Sequence, residues 1–163
     1  MLVGIMSDSH GRHLAVREAM RLFQERGVEH VIHCGDVGRG EVFDELLGIP
    51  LGFVWGNTDL PDGRLLAYLD GLGIEAPSSV PLRLVCGGKS FAVFHGHEVS
   101  FRQAIKTPSF DYICHGHTHE ARDERIDGKR IINPGALHRV RVRTVATLDT
   151  KTDQLEFHEI RAT

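Results

Sequence analysis

The chain has 163 residues, of which 41% are hydrophobic and 25% are charged, and its formal net charge is -3. These totals fit one globular domain over residues 1–163. No apolar run approaches the roughly 18 residues of a membrane span, and the net charge gives no reason to expect a surface that binds nucleic acid. The start of the chain is typical of a strand and not of an export signal, so we expect a cytoplasmic protein.

The three cysteines, Cys34, Cys86 and Cys114, each lie in or beside an apolar run. Their number is odd and no two of them form a Cys-x-x-Cys pair, so we expect buried free thiols and no disulfide or thiolate metal site. Free thiols are typical of a reducing compartment, which agrees with a cytoplasmic location.

The first part of the chain predicts alternating strands and helices. Apolar spacing predicts a helix over residues 13–26, which Gly27 can end, and a shorter helix over 40–48. Strands and helices that alternate at this spacing are typical of parallel βαβ units. Short apolar runs that end in polar residues predict buried strands at 2–8, 28–36 and 51–57.

Beyond residue 60 the pattern changes and predicts antiparallel pairing. Gly87-Gly88 and Asp127-Gly128 each indicate a hairpin. The remaining predicted strands are 111–116, 139–149 and 154–160, the last two paired with each other. Mixed strand directions with few helices predict an α/β fold in which two mixed β-sheets pack together and helices flank them.

Polar residues follow almost every predicted strand. Because ligands bind beyond the carboxyl ends of the strands in open α/β sheets, we expect these side chains to meet at one edge. Neighbouring glycines let the chain turn sharply there. The residues concerned are Asp8, His10, Asp36, Asn57, Thr58, Asp59, His95, His97, His117 and His119.

The chemistry of this set indicates a metal site. Carboxylate, amide and imidazole ligands without thiolate suit Mn, Fe, Zn, Co or Ni. The donors are too many for one ion, and two ions about 3.5–4 Å apart that share a carboxylate are typical of phosphatases and nucleases. Such a pair can hold a bridging water as hydroxide and bind a phosphate, which would remove the need for a basic surface.

The motifs Asp-x-His, Gly-Asp, Gly-Asn-x-Asp, His-Gly-His and Gly-His-Thr-His occur in this order, followed by Asn-Pro-Gly-Ala. Together they resemble the calcineurin-like metallophosphoesterases over essentially the whole chain. The resemblance is greatest to the small YfcE-like phosphodiesterase branch, whose relatives include the Vps29 scaffold of retromer. It implies an αββα sandwich and the hydrolysis of phosphate esters, most of all diesters, by a hydroxide that bridges two divalent metal ions. Manganese is the expected metal.

The resemblance also implies roles for individual residues. Asp36 is expected to bridge both ions and, with Asn57 and His95, to act in catalysis. Thr58, Asp59 and His97 are expected to line or support the pocket. The implied metal ligands are Asp8, His10 and His119 for one ion, Asn57, His95 and His117 for the other, and Asp36 for both.

Other interpretations of these residues stay open at this stage. Asp36 can cap the following helix, and Asn57 can form an Asx turn. His95 and His97 compete for one ligand position. His115 has no counterpart among the family's ligands, and His33 has no assigned role. His138 is interpreted as a surface or packing residue.

The chain departs from larger family members at Thr58, where they carry a histidine thought to protonate the leaving group. General acids contribute about 10²–10⁴-fold, so we expect activated aryl diesters to react faster than alkyl monoesters. The segment 98–110 is too short for a lid, which predicts an open site for a small phosphate ester. Small members of this family often self-associate, so a homo-oligomer is expected as one alternative, and the sequence does not give the oligomeric state. The rival functions are a Vps29-like protein-binding scaffold, a nuclease and a cyclic-nucleotide diesterase.

Overall fold

The computed structural model describes residues 1–107 and 109–161, and it contains two five-stranded mixed sheets. The strands of the first sheet, in spatial order, are β10 (Gln154–Ile160), β9 (Arg143–Asp149), β1 (Leu2–Met6), β2 (His30–His33) and β3 (Leu51–Phe53). β1, β2 and β3 run parallel, as predicted, whereas β9 pairs antiparallel with both β1 and β10.

The second sheet is also mixed. Its strands, in spatial order, are β4 (Leu82–Cys86), β5 (Lys89–Val93), β6 (Tyr112–Cys114), β8 (Lys129–Pro134) and β7 (Ala121–Ile126). β5, β6 and β8 run parallel, and β4 and β7 form antiparallel edges. The predicted hairpins are confirmed, because Cys86 pairs with Lys89 and Ile126 pairs with Lys129 across two-residue turns.

The described residues also form four helices: α1 (His13–Arg26), α2 (Gly40–Glu45), α3 (Gly63–Gly71) and α4 (Val99–Lys106). Phe23 of α1, Phe43 of α2 and Leu69 of α3 belong to one buried cluster on the first sheet. Phe101 of α4 packs against a separate cluster of the second sheet that includes Phe94. The predicted αββα arrangement is therefore confirmed.

Strand β1 shows how the sequence specifies these layers. Val3 and Ile5 belong to the buried cluster that includes residues of both sheets, whereas Met6 belongs to the cluster with the α1 residues. Gly4 leaves room for α1, because a Cβ there would lie 2.7 Å from the Phe23 ring. Alternate residues of a strand thus serve two different cores.

Parts of the prediction beyond residue 60 are wrong. Three strands there run parallel instead of antiparallel, because α4 supplies the crossover that parallel β5 and β6 require. Neither α3 nor α4 is predicted from the sequence. α4 has no fully buried residue and α3 buries only Leu69, so both leave a weak pattern. β9 begins at Arg143 and not at residue 139, since its partner β10 ends opposite, at Ile160.

The described helices are all too short or too polar to cross a bilayer. Cys34, Cys86 and Cys114 are buried free thiols, as predicted.

Candidate metal centre

The loops that follow the parallel strands of both sheets meet at one edge of the molecule and are hydrogen-bonded to one another. The N–H of Asp8 donates to the carbonyl of Gly35 at 3.0 Å, and the N–H of His10 donates to that of Asp36 at 2.9 Å. In the second sheet, the N–H of Gly116 donates to the carbonyl of His95 at 2.8 Å. Backbone hydrogen bonds therefore hold neighbouring loops together independently of the side chains that they carry.

The backbone conformation is unusual at most of the residues predicted to bind metal. Side chains other than glycine rarely adopt positive φ, and each such residue costs on the order of 1–3 kcal/mol. Strain of this kind persists where the surrounding structure enforces it, often at functional sites. The residues are Asp8 (φ 53°), His10 (43°), Asp36 (53°), His117 (69°) and His119 (62°).

The first group of donors comprises Asp8, His10 and His119, whose ligand atoms lie within 4.8 Å of one another. Asp8 is fully buried, and its Oδ2 accepts from Ser7 Oγ at 2.6 Å and from the N–H of His117 at 3.0 Å. Among the described residues, its Oδ1 has no hydrogen-bond partner, although His119 Nε2 lies 3.2 Å away outside hydrogen-bonding geometry. A buried carboxylate oxygen without a donor is costly, and a bound cation would satisfy it.

Asp36 connects this group with a second one. Its Oδ2 lies 3.4 Å from His10 Nε2 and 3.5 Å from His95 Nε2, while Oδ1 accepts from the N–H of Thr58 at 2.9 Å. Burial alone would raise the pKa of Asp36, but hydrogen bonds from His95 and Thr58 outweigh burial and lower it. The carboxylate is therefore ionised at neutral pH, and one oxygen faces both sets of imidazoles.

The second group comprises Asp8, Asp36 and His95, whose ligand atoms also lie within 4.8 Å of one another. His95 is fully buried, with Nδ1 2.8 Å from the carbonyl of Cys34 and Nε2 2.9 Å from Asn57 Oδ1. The Cys34 carbonyl and the Asn57 amide oxygen can only accept, so both ring nitrogens face acceptors, and a cation bound at Nε2 would take the place of the proton there. Burial lowers the pKa of His95, but Asp36 and the Cys34 carbonyl raise it by more.

Two further histidines lie beside His95. Its ring centroid is 5.1 Å from that of His117 and 5.4 Å from that of His97. His97 is exposed, and its Nδ1 lies 3.8 Å from Glu98. The structure therefore places His95 against Asp36 and Asn57, and His97 at the outer rim.

Several residues hold the loops in place without facing the donors. Asp59 accepts from the N–H groups of Val37, Gly38 and Gly56 at 3.1, 2.8 and 2.8 Å, which ties the loop after β2 to the loop after β3. Glu98, which sequence reasoning missed, accepts from the N–H groups of His95 and Gly96 at 2.9 and 2.7 Å. Asn133 donates to the carbonyl of Gly116 at 2.9 Å and to Thr118 Oγ1 at 3.0 Å.

His33 and His115 belong to neither donor group. His33 is fully buried beside Ser9 Oγ at 2.9 Å, and burial lowers its pKa to about 3. His115 is buried under the ring of Phe101, and burial lowers its pKa as well. Both imidazoles are neutral packing residues.

His138 is a neighbour of the centre that the sequence interpretation missed. Its ring centroid lies 5.2 Å from that of His10, and its Nδ1 accepts from Arg12 Nε at 3.3 Å. No spacing or motif marks this contact, because it forms when the loop after β8 folds back over the centre. The interpretation of His138 as a surface or packing residue is consistent with this contact but did not place it beside a proposed ligand.

The donors fit a pair of cations. A buried oxygen of Asp8, the ionised Asp36 and Nε2 of His95 converge, and carboxylate and imidazole groups are ligands of divalent metals of intermediate hardness. A four-layer αββα fold with such donors at its strand ends defines a metallophosphoesterase.

Comparison with known proteins identifies the family. Residues 1–153 match the calcineurin-like phosphoesterase superfamily domain, and the chain belongs to this superfamily. It is a phosphoesterase whose family uses divalent metal ions, as the motifs indicated.

The relatives agree over almost the full length. Phosphodiesterase MJ0936 of Methanocaldococcus jannaschii is 32% identical over 165 residues, which cover 98% of each chain. A solved archaeal phosphodiesterase superimposes with a TM-score of 0.88 at 31% identity and covers 98% of this chain and 100% of its own. The phosphoesterase YfcE from E. coli shares the fold with a TM-score of 0.69 at 19% identity, over 99% of this chain and 100% of its own.

Proposed function

We propose that the protein is a phosphodiesterase that acts on small phosphate esters with the help of two divalent metal ions. The observation that carries this proposal is the position of Asp36 Oδ2, between His10 Nε2 at 3.4 Å and His95 Nε2 at 3.5 Å. A carboxylate oxygen between two sets of donors is suited to bridge two cations. The similarity to a relative named as a phosphodiesterase supports the choice of diesters.

The proposed ligands follow the two groups of donors. When bound, the ions would act as Lewis acids toward the phosphoryl oxygens and would lower the pKa of a water molecule so that it can attack as hydroxide. Asp36, Asn57 and His95 are the proposed catalytic residues. The proposed ligands are Asp8, His10, Asp36 and His119 for one ion and Asp36, Asn57, His95 and His117 for the other.

The chain itself orients this set. The Cys34 carbonyl fixes the His95 ring so that its Nε2 faces Asp36, and Asp59 holds the loop that carries Asn57. Thr58 is exposed and contributes its backbone N–H to Asp36. A threonine hydroxyl is a poor proton donor at neutral pH, so His97 at the rim or solvent would protonate the leaving group. We therefore expect aryl diesters to react faster than alkyl monoesters.

The test is an isosteric removal of the shared charge. With manganese-loaded protein, Asp36→Asn is expected to lower kcat/KM for bis(4-nitrophenyl) phosphate by roughly 100-fold or more, beyond the 10–100-fold typical of groups that only support a ligand. Metal content per chain, measured by elemental analysis, should fall as well. Asp70→Asn on the exposed face of α3 is the matched control. A loss no larger than that of His33→Ala would contradict the assignment.

The Vps29-like scaffold has less support, because every expected ligand type is present and the full-length relative is named as a phosphodiesterase. A nuclease or a cyclic-nucleotide diesterase uses the same chemistry, and turnover of oligonucleotides or cyclic nucleotides would favour it. Three buried free thiols support a cytoplasmic location. We also propose manganese as the metal and residues 1–163 as a single domain that can self-associate. Elemental analysis of protein purified without added metal tests the choice of metal.

A further inference from the structure

A cationic cluster adjoins the candidate metal centre, although the chain as a whole is acidic. It consists of the cations Arg12, Arg39 and Arg139 together with the His138 ring, and we call it the arginine cluster. Arg12 and Arg39 come from the loops after β1 and β2, and their side chains are exposed. Arg39 packs across Gly11, where a Cβ would lie 3.0 Å from Arg39 Cγ. His138 and Arg139 come from the loop between β8 and β9.

The three arginines of this cluster form no ion pair with a carboxylate of the described residues. Other arginines do form such pairs, for example Arg17 with Glu45 at 2.6 Å. In residues 1–107 and 109–161, no carboxylate lies within ion-pair distance of Arg12, Arg39 or Arg139. Cationic groups gathered without a counter-charge attract an anion.

The Arg12 guanidinium has unused donors for such an anion. Its Nε donates to His138 Nδ1 at 3.3 Å, so the two terminal nitrogens of the fork are available to a ligand. Because Nδ1 accepts, the neutral His138 ring carries its proton on Nε2, which is a further donor. A guanidinium fork with a neighbouring N–H donor matches the oxygens of a phosphate.

The position of His138 is built into the fold. Thr144 closes the base of its loop, because its N–H donates to the carbonyl of Ala136 at 3.3 Å and its Oγ1 donates to that of Pro134 at 2.8 Å. Leu137 is fully buried and anchors the loop. The His138 ring centroid lies 5.2 Å from that of His10, so the arginine cluster begins beside a proposed metal ligand.

We propose that the arginine cluster is a second anion site, in which Arg12 and His138 bind a further phosphate group of the substrate. The substrate class is then a phosphodiester that carries another phosphate near the scissile one, such as a 3′-phosphorylated nucleoside 5′-diester. This inference rests on the proposed phosphodiesterase function. It also gives this acidic protein a means of attracting a polyanionic substrate.

The test compares two substrates that differ by one phosphate: thymidine 5′-(4-nitrophenyl phosphate) and its 3′-phosphorylated form. With manganese-loaded protein, kcat/KM is expected to be roughly tenfold higher for the 3′-phosphorylated form, because a single charge-assisted hydrogen bond contributes a factor of this size. Arg12→Gln should reduce this preference to about one, and Arg12→Lys should retain part of it, since Lys keeps the charge without the fork. Arg21→Gln, an exposed change on α1, is the matched control and should keep the full preference.

A metal-free measurement separates this inference from the proposed function. Calorimetric titration in EDTA should show tighter binding of thymidine 3′,5′-bisphosphate than of thymidine 5′-monophosphate, and Arg12→Gln should abolish the difference. Thermal unfolding verifies that the variants fold. Failure of both aryl diesters to react would overturn the proposed function alone. Equal rates for both substrates in the wild type, or an equal loss on both in Arg12→Gln, would overturn the second anion site.

Discussion

At the scale of single residues, the candidate centre depends on close approaches that leave no room for an added atom. A Cβ at Gly56 would overlap Asp36 Oδ1, and a Cβ at Gly116 would overlap Ser7 Oγ. Asp59 holds the N–H of Gly56 at 2.8 Å, so the backbone cannot easily move away. Gly56 and Gly116 are therefore required because a larger residue would collide with neighbouring side chains.

Gly56→Ala is expected to displace the Asp36 carboxylate. The overlap should destabilise the protein by roughly 1–3 kcal/mol, as overpacking does, and should lower phosphodiesterase activity because Asp36 faces both sets of donors. Gly71→Ala at the end of α3 is the control, since nothing lies within 4 Å of its added Cβ. It should be neutral or slightly stabilising. Urea denaturation and initial rates measure both effects, and a Gly56→Ala protein with unchanged activity would contradict this account.

At the scale of elements, α3 is a short helix whose position depends on its N-cap residue, Asp62, more than on an apolar face. Asp62 Oδ1 accepts from the N–H groups of Arg64 at 3.0 Å and Leu65 at 2.8 Å. Only Leu69 of this helix is buried. Its stability therefore depends strongly on one cap and one anchor.

Asp62→Ala is expected to cost roughly 0.5–2 kcal/mol of stability, the usual effect of losing an N-cap. Asp62→Asn should cost much less, because the amide oxygen can accept the same hydrogen bonds. Denaturant unfolding of the two variants measures the difference. Equal losses of stability in Asp62→Asn and Asp62→Ala would show that the charge of Asp62, and not its capping geometry, stabilises α3.

At the scale of the whole molecule, buried histidines couple folding to pH. The pKa of His33 falls from 6.5 to about 3 on folding because its ring is fully buried. Between these values the unfolded chain binds more protons than the folded one, so stability falls as the pH falls. The contribution of His33 is fully present above about pH 6.5 and is lost progressively toward pH 3.

Metal-free protein is accordingly expected to lose stability between pH 7 and pH 5. His33→Gln, which can keep a hydrogen bond to Ser9, should make the slope shallower by up to about 1.4 kcal/mol per pH unit, the value for one proton. Urea unfolding in EDTA at several pH values measures both slopes. Identical slopes in the variant and the wild type would mean that His33 does not carry this dependence.

Much of the fold and of the donor set can be predicted from the sequence, because both have local signals. Apolar periods mark β1, α1 and β2, and paired turn residues mark the two hairpins. The donors can be found because they are the polar residues that directly follow the apolar runs of the predicted strands. The structure brings all seven predicted ligands to one edge, among them Asp8 and Asp36.

The sequence by itself determined which donors are present and in what order they follow the strands. Only the tertiary structure decided that three strands of the second sheet run parallel and that His138 joins Arg12 beside the centre. These features depend on contacts between residues far apart in the chain. Such contacts leave no period or motif in the sequence, because burial and neighbours arise only when the layers pack.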